Sequence, residues 1–186
     1  HNDDLLLMCA ILLKNSLPKL YQKNNITQIT LQEQQQLRVT LFSFIHNIHL
    51  NEKIMKQITY TLSMIARKTY PQSWDTLFFD LAQLLQKCTR HSKEEKYIFY
   101  LLYDILEEFS KSSILIAKKS FESVATELLD YVYKSVLFYL NDEHLETNMN
   151  QYHEFIILLL KCMEKIIIYG VPSLSQNKTA ATFFAD

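Results

Sequence analysis

Residues 51–85 read NEKIMKQITYTLSMIARKTYPQSWDTLFFDLAQLL, and this stretch decides the fold. Its first half repeats apolar residues three or four positions apart, which is the period of one helical face. These residues are Ile54, Ile58, Leu62 and Ile65. Tyr70-Pro71 ends that helix, because the residue before a proline is pushed out of the α region. Trp74 opens a second amphipathic segment, and two helices joined so closely should lie side by side and antiparallel.

The composition of the chain favours an all-α fold. Its 186 residues include one glycine and three prolines, which leaves little material for β-turns. Hydrophobic residues make up 48% and aromatic residues 12%, so a large core can be buried. The length suits one compact domain or about four helical hairpins.

Charge and cysteine content narrow the possible functions. The 19 basic and 20 acidic residues give a formal net charge of -1, whereas nucleic-acid-binding domains usually carry a basic face. Cys9, Cys88 and Cys162 are far apart in apolar contexts, so we expect them to be buried free thiols of a reducing compartment. The apolar run 5–13 is too short to cross a bilayer, which takes about 20 residues. We predict neither nucleic-acid binding nor membrane insertion.

Seven helices are predicted along the chain. Pro18 should break or kink the first helix, and Gly170 and Pro172 should stop the last one. The predicted ranges are 5–17, 31–49, 52–69, 73–87, 93–111, 120–140 and 151–169.

The predicted helices recur as hairpins. The first, third, fifth and seventh begin near residues 5, 52, 94 and 151, at spacings of about 47, 42 and 57. The HEAT repeat has a period of about 40–47 residues, and such hairpins stack into a superhelix with a concave face. We therefore predict a HEAT-repeat α-solenoid over residues 1–172, with 173–186 as a tail or the start of a truncated helix.

Two sequence elements resemble importin-β-type nuclear transport receptors. Leu12-Leu13-Lys14-Asn15 is similar to the LKN-like element in the first repeat of that family. Residues 65–74, IARKTYPQSW, match its I-A-x-x-x-x-P-x-x-W element. The likeness covers residues 5–90 and continues more loosely to residues 169–172, YGVP, which look like the importin-eleven branch. The first helix of the first repeat is missing, so we expect an N-terminal fragment whose apolar face at 5–13 is partly uncapped and self-associates.

The resemblance implies a nuclear transport receptor. Such receptors bind the GTPase Ran in its GTP form through their N-terminal repeats, carry protein cargo and contact Phe-Gly nucleoporins. They shuttle between nucleus and cytoplasm through the nuclear pore. In an import receptor, Ran-GTP displaces cargo through a coupling between two sites. The resemblance is compatible with either import or export.

Five candidate contact residues lie on the first and third helices. Lys14 and Asn15 belong to the LKN-like element and are candidates to face Ran. The alternative is that Lys14 is solvated while Asn15 bonds across to the next repeat. Gln57, Thr61 and Lys68 are predicted to lie on a face of the third helix away from its apolar stripe. They are either concave-face contacts or simply solvated.

Three more candidates lie on the fifth helix. Asp104 and Glu108 follow Tyr100 on that helix, and they could complement the basic surface that the family scheme assigns to Ran. The alternative is a solvated acidic face. Trp74 with Pro71, by contrast, is predicted to be a packing corner between two repeats.

No catalytic, cofactor or metal site is predicted from this sequence. His46 and His49 lie three positions apart, but no third ligand is placed nearby and the HExxH pattern is absent. Neither a nucleophile elbow nor a P-loop is present, and one glycine could hardly build one. We predict no enzymatic activity, no cofactor and no metal. The alternative function is a HEAT or armadillo-type scaffold unrelated to Ran, such as a phosphatase or vesicle-coat adaptor.

Overall fold

The computed structural model describes residues 2–22, 29–47, 49–111, 115–141 and 149–171. All regular structure within these ranges is helical, which confirms the predicted all-α class. The helices are α1 (Asn2–Leu20), α2 (Leu31–Ser43), α3 (Glu52–Thr69), α4 (Leu77–Lys87), α5 (Lys93–Ser110), α6 (Leu115–Leu140) and α7 (Met149–Gly170). A 3₁₀ turn, Phe44–His46, follows α2. The predicted tail at 173–186 lies outside the described residues.

Local signals define α3, whose bounds match the prediction. The side chain of Asn51 accepts a hydrogen bond from the backbone N of Lys53 at 2.9 Å, which caps the first turn. Tyr70 leaves the helical region with ψ of 138°, as expected of a residue before proline. The Tyr70-Pro71 peptide bond is cis.

Several predicted helix bounds were wrong. α1 continues through Pro18 to Leu20, because a proline in the last turn removes only one backbone hydrogen bond. α2 ends at Ser43 and tightens into the 3₁₀ turn, where the predicted helix ran to 49. α4 begins at Leu77 rather than 73, because residues 70–76 form a turn around Trp74. In addition, α6 starts at Leu115, earlier than predicted.

That turn is held by tertiary contacts of Trp74. The guanidinium of Arg38 lies 4.8 Å from the indole ring centroid, and its Nη1 donates to the Ser73 carbonyl at 2.8 Å. The ring of Phe42 meets the indole edge-on at 5.5 Å. Trp74 Nε1 donates to Asp80 Oδ2 at 2.8 Å, which satisfies the buried indole N–H. Trp74 is packed at a corner as predicted, and that this corner joins two repeats stays a prediction.

The chain divides into two compact units, His1–Glu108 and Phe109–Asp186. In the first unit, α3 packs against α1 on one side and is bonded to α5 on another. Its buried hydroxyl groups are hydrogen-bonded, as with Thr69 Oγ1, which donates to the Ile65 carbonyl at 2.8 Å. α3 is therefore the central helix of this unit.

Helices α3 and α5 run in the same direction. Tyr100 bonds to Glu52, Asp104 to Thr59, and Glu108 to Arg67, so the partners advance together along both helices. The first helices of successive hairpins in a repeat array have this relation. Whether the hairpins continue into a solenoid stays a prediction.

The second unit is built on an antiparallel pair, α6 and α7. Tyr139 near the end of α6 packs against Tyr152 and Phe155 near the start of α7, with ring centroids 5.6 and 4.8 Å apart. At the opposite end, a Cβ on Gly170 would lie 2.4 Å from the Cβ of Ala125. The lack of a side chain at Gly170 therefore permits the close approach of the two helices.

Candidate partner-binding surface

Lys14 links α1 to α3. Its Nζ donates to Gln57 Oε1 at 2.8 Å and lies 5.9 Å from the ring centroid of Tyr60. Asn15, the next residue, is exposed, and Tyr60 is 37% exposed. The structure thus brings together two of the predicted residues, Lys14 and Gln57, and Tyr60 lies beside them. Lys14 makes the link across helices that the sequence alternative had assigned to Asn15.

Thr61 is not on the outward face of α3, so its predicted placement was wrong. It is only 1% exposed, and its hydroxyl donates to the Gln57 carbonyl at 2.6 Å. The reason is that α3 is covered by more than one neighbouring helix, so its buried arc is wider than the apolar stripe indicates. Lys68, two turns further along α3, is exposed as predicted.

Tyr100 forms part of a charged cluster between α3 and α5. Its hydroxyl donates to Glu52 Oε1 at 3.2 Å, and the Nζ atoms of Lys56 and Lys96 lie 5.1 and 5.6 Å from its ring centroid. The hydrogen bond from Lys56 is the main cause that lowers the pKa of Glu52, and the charge of Lys96 adds to it. Tyr100 is half-buried in this cluster.

The two candidate carboxylates of α5 are bonded to α3. Asp104 Oδ2 accepts from the Thr59 hydroxyl at 2.8 Å, and Glu108 Oε2 accepts from Arg67 Nη1 at 3.1 Å. Glu108 is only 4% exposed. The prediction that Glu108 belongs to an exposed acidic face was wrong, because the parallel packing of α3 supplies a cation directly opposite it.

Tyr100 and Asp104 are half-buried between α3 and α5. The other accessible candidates, together with Tyr60, form what we call the α1–α3 surface. It consists of Lys14, Asn15, Gln57, Tyr60 and Lys68. Gln57, Tyr60 and Lys68 share one face of α3 because they are spaced three and eight residues apart. The sequence reasoning missed Tyr60. Its position three residues after Gln57 is the signal that could have found it.

The described parts of the chain show no candidate metal centre. They contain no group of three or more His, Cys, Asp or Glu side chains placed to hold a metal ion. His46 Nδ1 pairs instead with the carboxylate of Glu94. Among the helices that are described, none has the length and apolar character needed to cross a membrane.

Comparisons with known proteins found no relative of the chain. No family model, no curated protein and no solved structure matches the chain. The resemblance to importin-β-type receptors therefore rests on the elements at residues 12–15 and 65–74 and on the looser likeness after them.

Proposed function

We propose that this chain is the N-terminal part of an importin-β-type receptor that binds Ran in its GTP form. The observation that carries the proposal is the bond between Lys14 and Gln57. It joins the LKN-like element to the outward face of α3, where Tyr60 and Lys68 are exposed. Residues that the family likeness and the helical pattern single out separately thus belong to one surface.

The arrangement of α3 and α5 supports a role in binding proteins. The two helices run in the same direction and place charged side chains beside one another, with Lys56 and Lys96 both paired to Glu52. Extended helical faces suit large partners, and helical-repeat proteins use them in that way. We propose that the chain acts by binding, without catalysis of its own.

The positions of the second sequence element that match the family pattern support the helical-repeat fold, and of its remaining residues only Lys68 belongs to the α1–α3 surface. Ile65 and Ala66 are buried, and so is Trp74. In the proposed receptor these residues set the geometry of the corner between two hairpins. Protein cargo, Phe-Gly nucleoporins and shuttling through the nuclear pore belong to the same proposal, and the family resemblance alone supports them.

One observation favours the alternative, a helical scaffold unrelated to Ran. Asp104 and Glu108 of α5 were expected to contact a basic partner. Instead, Asp104 accepts a hydrogen bond from Thr59 and Glu108 pairs with Arg67 of the same chain. Electrostatic complementarity through α5 is therefore weaker than the sequence indicated. If Ran is bound, the α1–α3 surface has to supply most of the contacts.

The deciding experiment compares binding to Ran loaded with a non-hydrolysable GTP analogue and to Ran loaded with GDP. A protein that carries residues 1–186 is titrated against each form by calorimetry. The variants are a Lys14→Ala/Asn15→Ala double substitution and Lys68→Ala. Lys161→Ala, at an exposed lysine of α7, is the matched control.

The proposal predicts selective binding of the GTP form. Each α1–α3 variant should weaken that binding by about tenfold or more, which is the range of an interface hot spot. Lys161→Ala should leave it unchanged. Equal binding of both forms, or of neither, would overturn the receptor proposal and leave the scaffold.

A further inference from the structure

A half-enclosed cavity of about 150 Å³ lies between α1 and the segment from α2 to α3. Its floor is formed by buried side chains, among them Leu41, Ile54 and Ile58. Leu6, Cys9 and Phe44 also line it, and these three are partly exposed. They therefore form the mouth of the cavity. The prediction that Cys9 is buried was wrong.

The cavity offers nothing to a polar ligand. Of the residues that line it, Thr61 has the only side-chain hydroxyl, and that hydroxyl already donates to the Gln57 carbonyl at 2.6 Å. Within the described ranges, the one buried side-chain polar atom without a partner is Tyr21 Oη, and Tyr21 does not line the cavity. Water inside would find few hydrogen-bond partners, and a charged ligand would lose its hydration without compensation.

We propose that this cavity is a binding site for a small uncharged apolar molecule of about the size of benzene. Enclosed cavities of roughly this volume that are lined by Leu, Ile and Phe bind benzene or xenon, and the half-enclosed cavity of this chain has the same apolar lining. The binding free energy comes from removing apolar surface from water. This site does not depend on the proposed interaction with Ran.

A small molecule fits the cavity better than a second copy of the chain does. Four apolar side chains of α1 are exposed; Leu6 stands at the mouth of the cavity, whereas the three most exposed form a separate stripe of Leu5, Met8 and Leu12. They lie on a different face of that helix from Ala10 and Leu13, which line the cavity. Self-association through the exposed stripe would therefore leave the cavity open. The volume holds one ring and is too small for a helix.

Cys9 at the mouth provides a direct test, because a bound ring would block access to its thiol. The alkylation rate of Cys9 by iodoacetamide is followed by mass spectrometry in the unaltered chain. Cys88 reacts slowly because burial is the main cause that raises the pKa of its thiol to about 11, and Cys162 is buried. Benzene is the probe, and benzoate is the charged control of similar size.

The expected result is saturable protection of Cys9 by benzene. At about ten times its Kd, benzene should slow alkylation about tenfold and raise Tm, whereas benzoate should do neither. Unchanged rates in the presence of benzene would overturn the proposal. Protection that grows with protein concentration in the absence of benzene would also overturn it, because the occupant would then be a second copy.

Filling the cavity gives an independent check. Ala10→Leu places a larger side chain in it, and Ala82→Leu on α4 is the matched control outside the lining. The Tm increase with benzene should be lost in the first variant and kept in the second. An increase that survives Ala10→Leu would overturn the proposal. If Ala10→Leu fails to fold, the alkylation result on the unaltered chain decides alone.

Discussion

Arg67 of α3 reaches Glu108 of α5 with Nη1 3.1 Å from Oε2, and Glu108 is almost fully buried. A buried carboxylate that loses its cation is strongly destabilising, whereas replacing it by a neutral group costs less. The pair therefore fixes α5 against α3 and makes Glu108 a structural residue. Charge reversal at Glu108 would disturb the fold before it tested any partner.

We predict that Arg67→Ala destabilises the chain by about 2 kcal/mol and more than Glu108→Gln does. The figure lies below the usual range for a buried pair, because the side chain of Arg67 is 39% exposed. Urea unfolding measures both variants. Lys134→Ala, which breaks an exposed pair with Asp130 on α6, should cost less than about 0.5 kcal/mol. Equal losses in Arg67→Ala and Lys134→Ala would contradict the structural role of the pair.

A second prediction concerns the hydrogen bond from Trp74 Nε1 to Asp80 Oδ2, which is 2.8 Å long. Asp80→Ala leaves a buried indole N–H without this acceptor, which should cost about 1–2 kcal/mol. Trp74 is the single tryptophan of the chain, so its fluorescence reports the change directly. Asp75→Ala, at an exposed position beside Trp74, is the control and should change neither stability nor emission. Matching behaviour of the two variants would mean that the bond does not hold the corner.

These contacts show which features of the fold were predictable from sequence. The bounds of α3 were predictable, because they depend on local backbone preferences: Asn51 caps one end and Tyr70-Pro71 stops the other. The start of α4 was not, because Arg38 and Phe42 come from a distant part of the chain and hold the turn around Trp74.

The positions of the candidate site residues were likewise predictable only in part. Lys14 and Gln57 do meet; the LKN-like element had indicated the first and the polar face of the third helix the second. Thr61 and Glu108 are buried, because two or more helices cover α3 and an ion pair neutralises a carboxylate inside the packing. A helical pattern shows one apolar stripe, and it does not show how many neighbours a helix will have.

The third prediction is a pH dependence caused by Glu52. The hydrogen bond from Lys56, first, and then the charge of Lys96 lower the pKa of this carboxyl below its ordinary value of 4.5. Its contribution to stability is therefore complete above that value and is lost as the pH falls through the lower pKa of the folded state.

The free energy of unfolding should accordingly fall below about pH 4.5, and it should fall less steeply in Glu52→Gln. Urea unfolding between neutral and acidic pH measures the slopes. Glu164→Gln, at an exposed position of α7, serves as the control. A slope in Glu52→Gln equal to that of the unaltered chain would rule out Glu52 as a source of the acid sensitivity.

The last prediction concerns the exposed apolar stripe of α1. Leu5, Met8 and Leu12 are 53%, 53% and 57% exposed, and they repeat at the spacing of one helical face. We expect the chain to self-associate through this stripe as its concentration rises, because joining two stripes removes apolar surface from water. Leu12→Glu should shift the association to higher concentration without lowering Tm, since the side chain contributes little to the core. Phe79→Glu, at a 64% exposed position on α4, should leave association unchanged. Sedimentation velocity over a range of concentrations distinguishes the cases, and a chain that stays monomeric throughout would show that the stripe is not self-complementary.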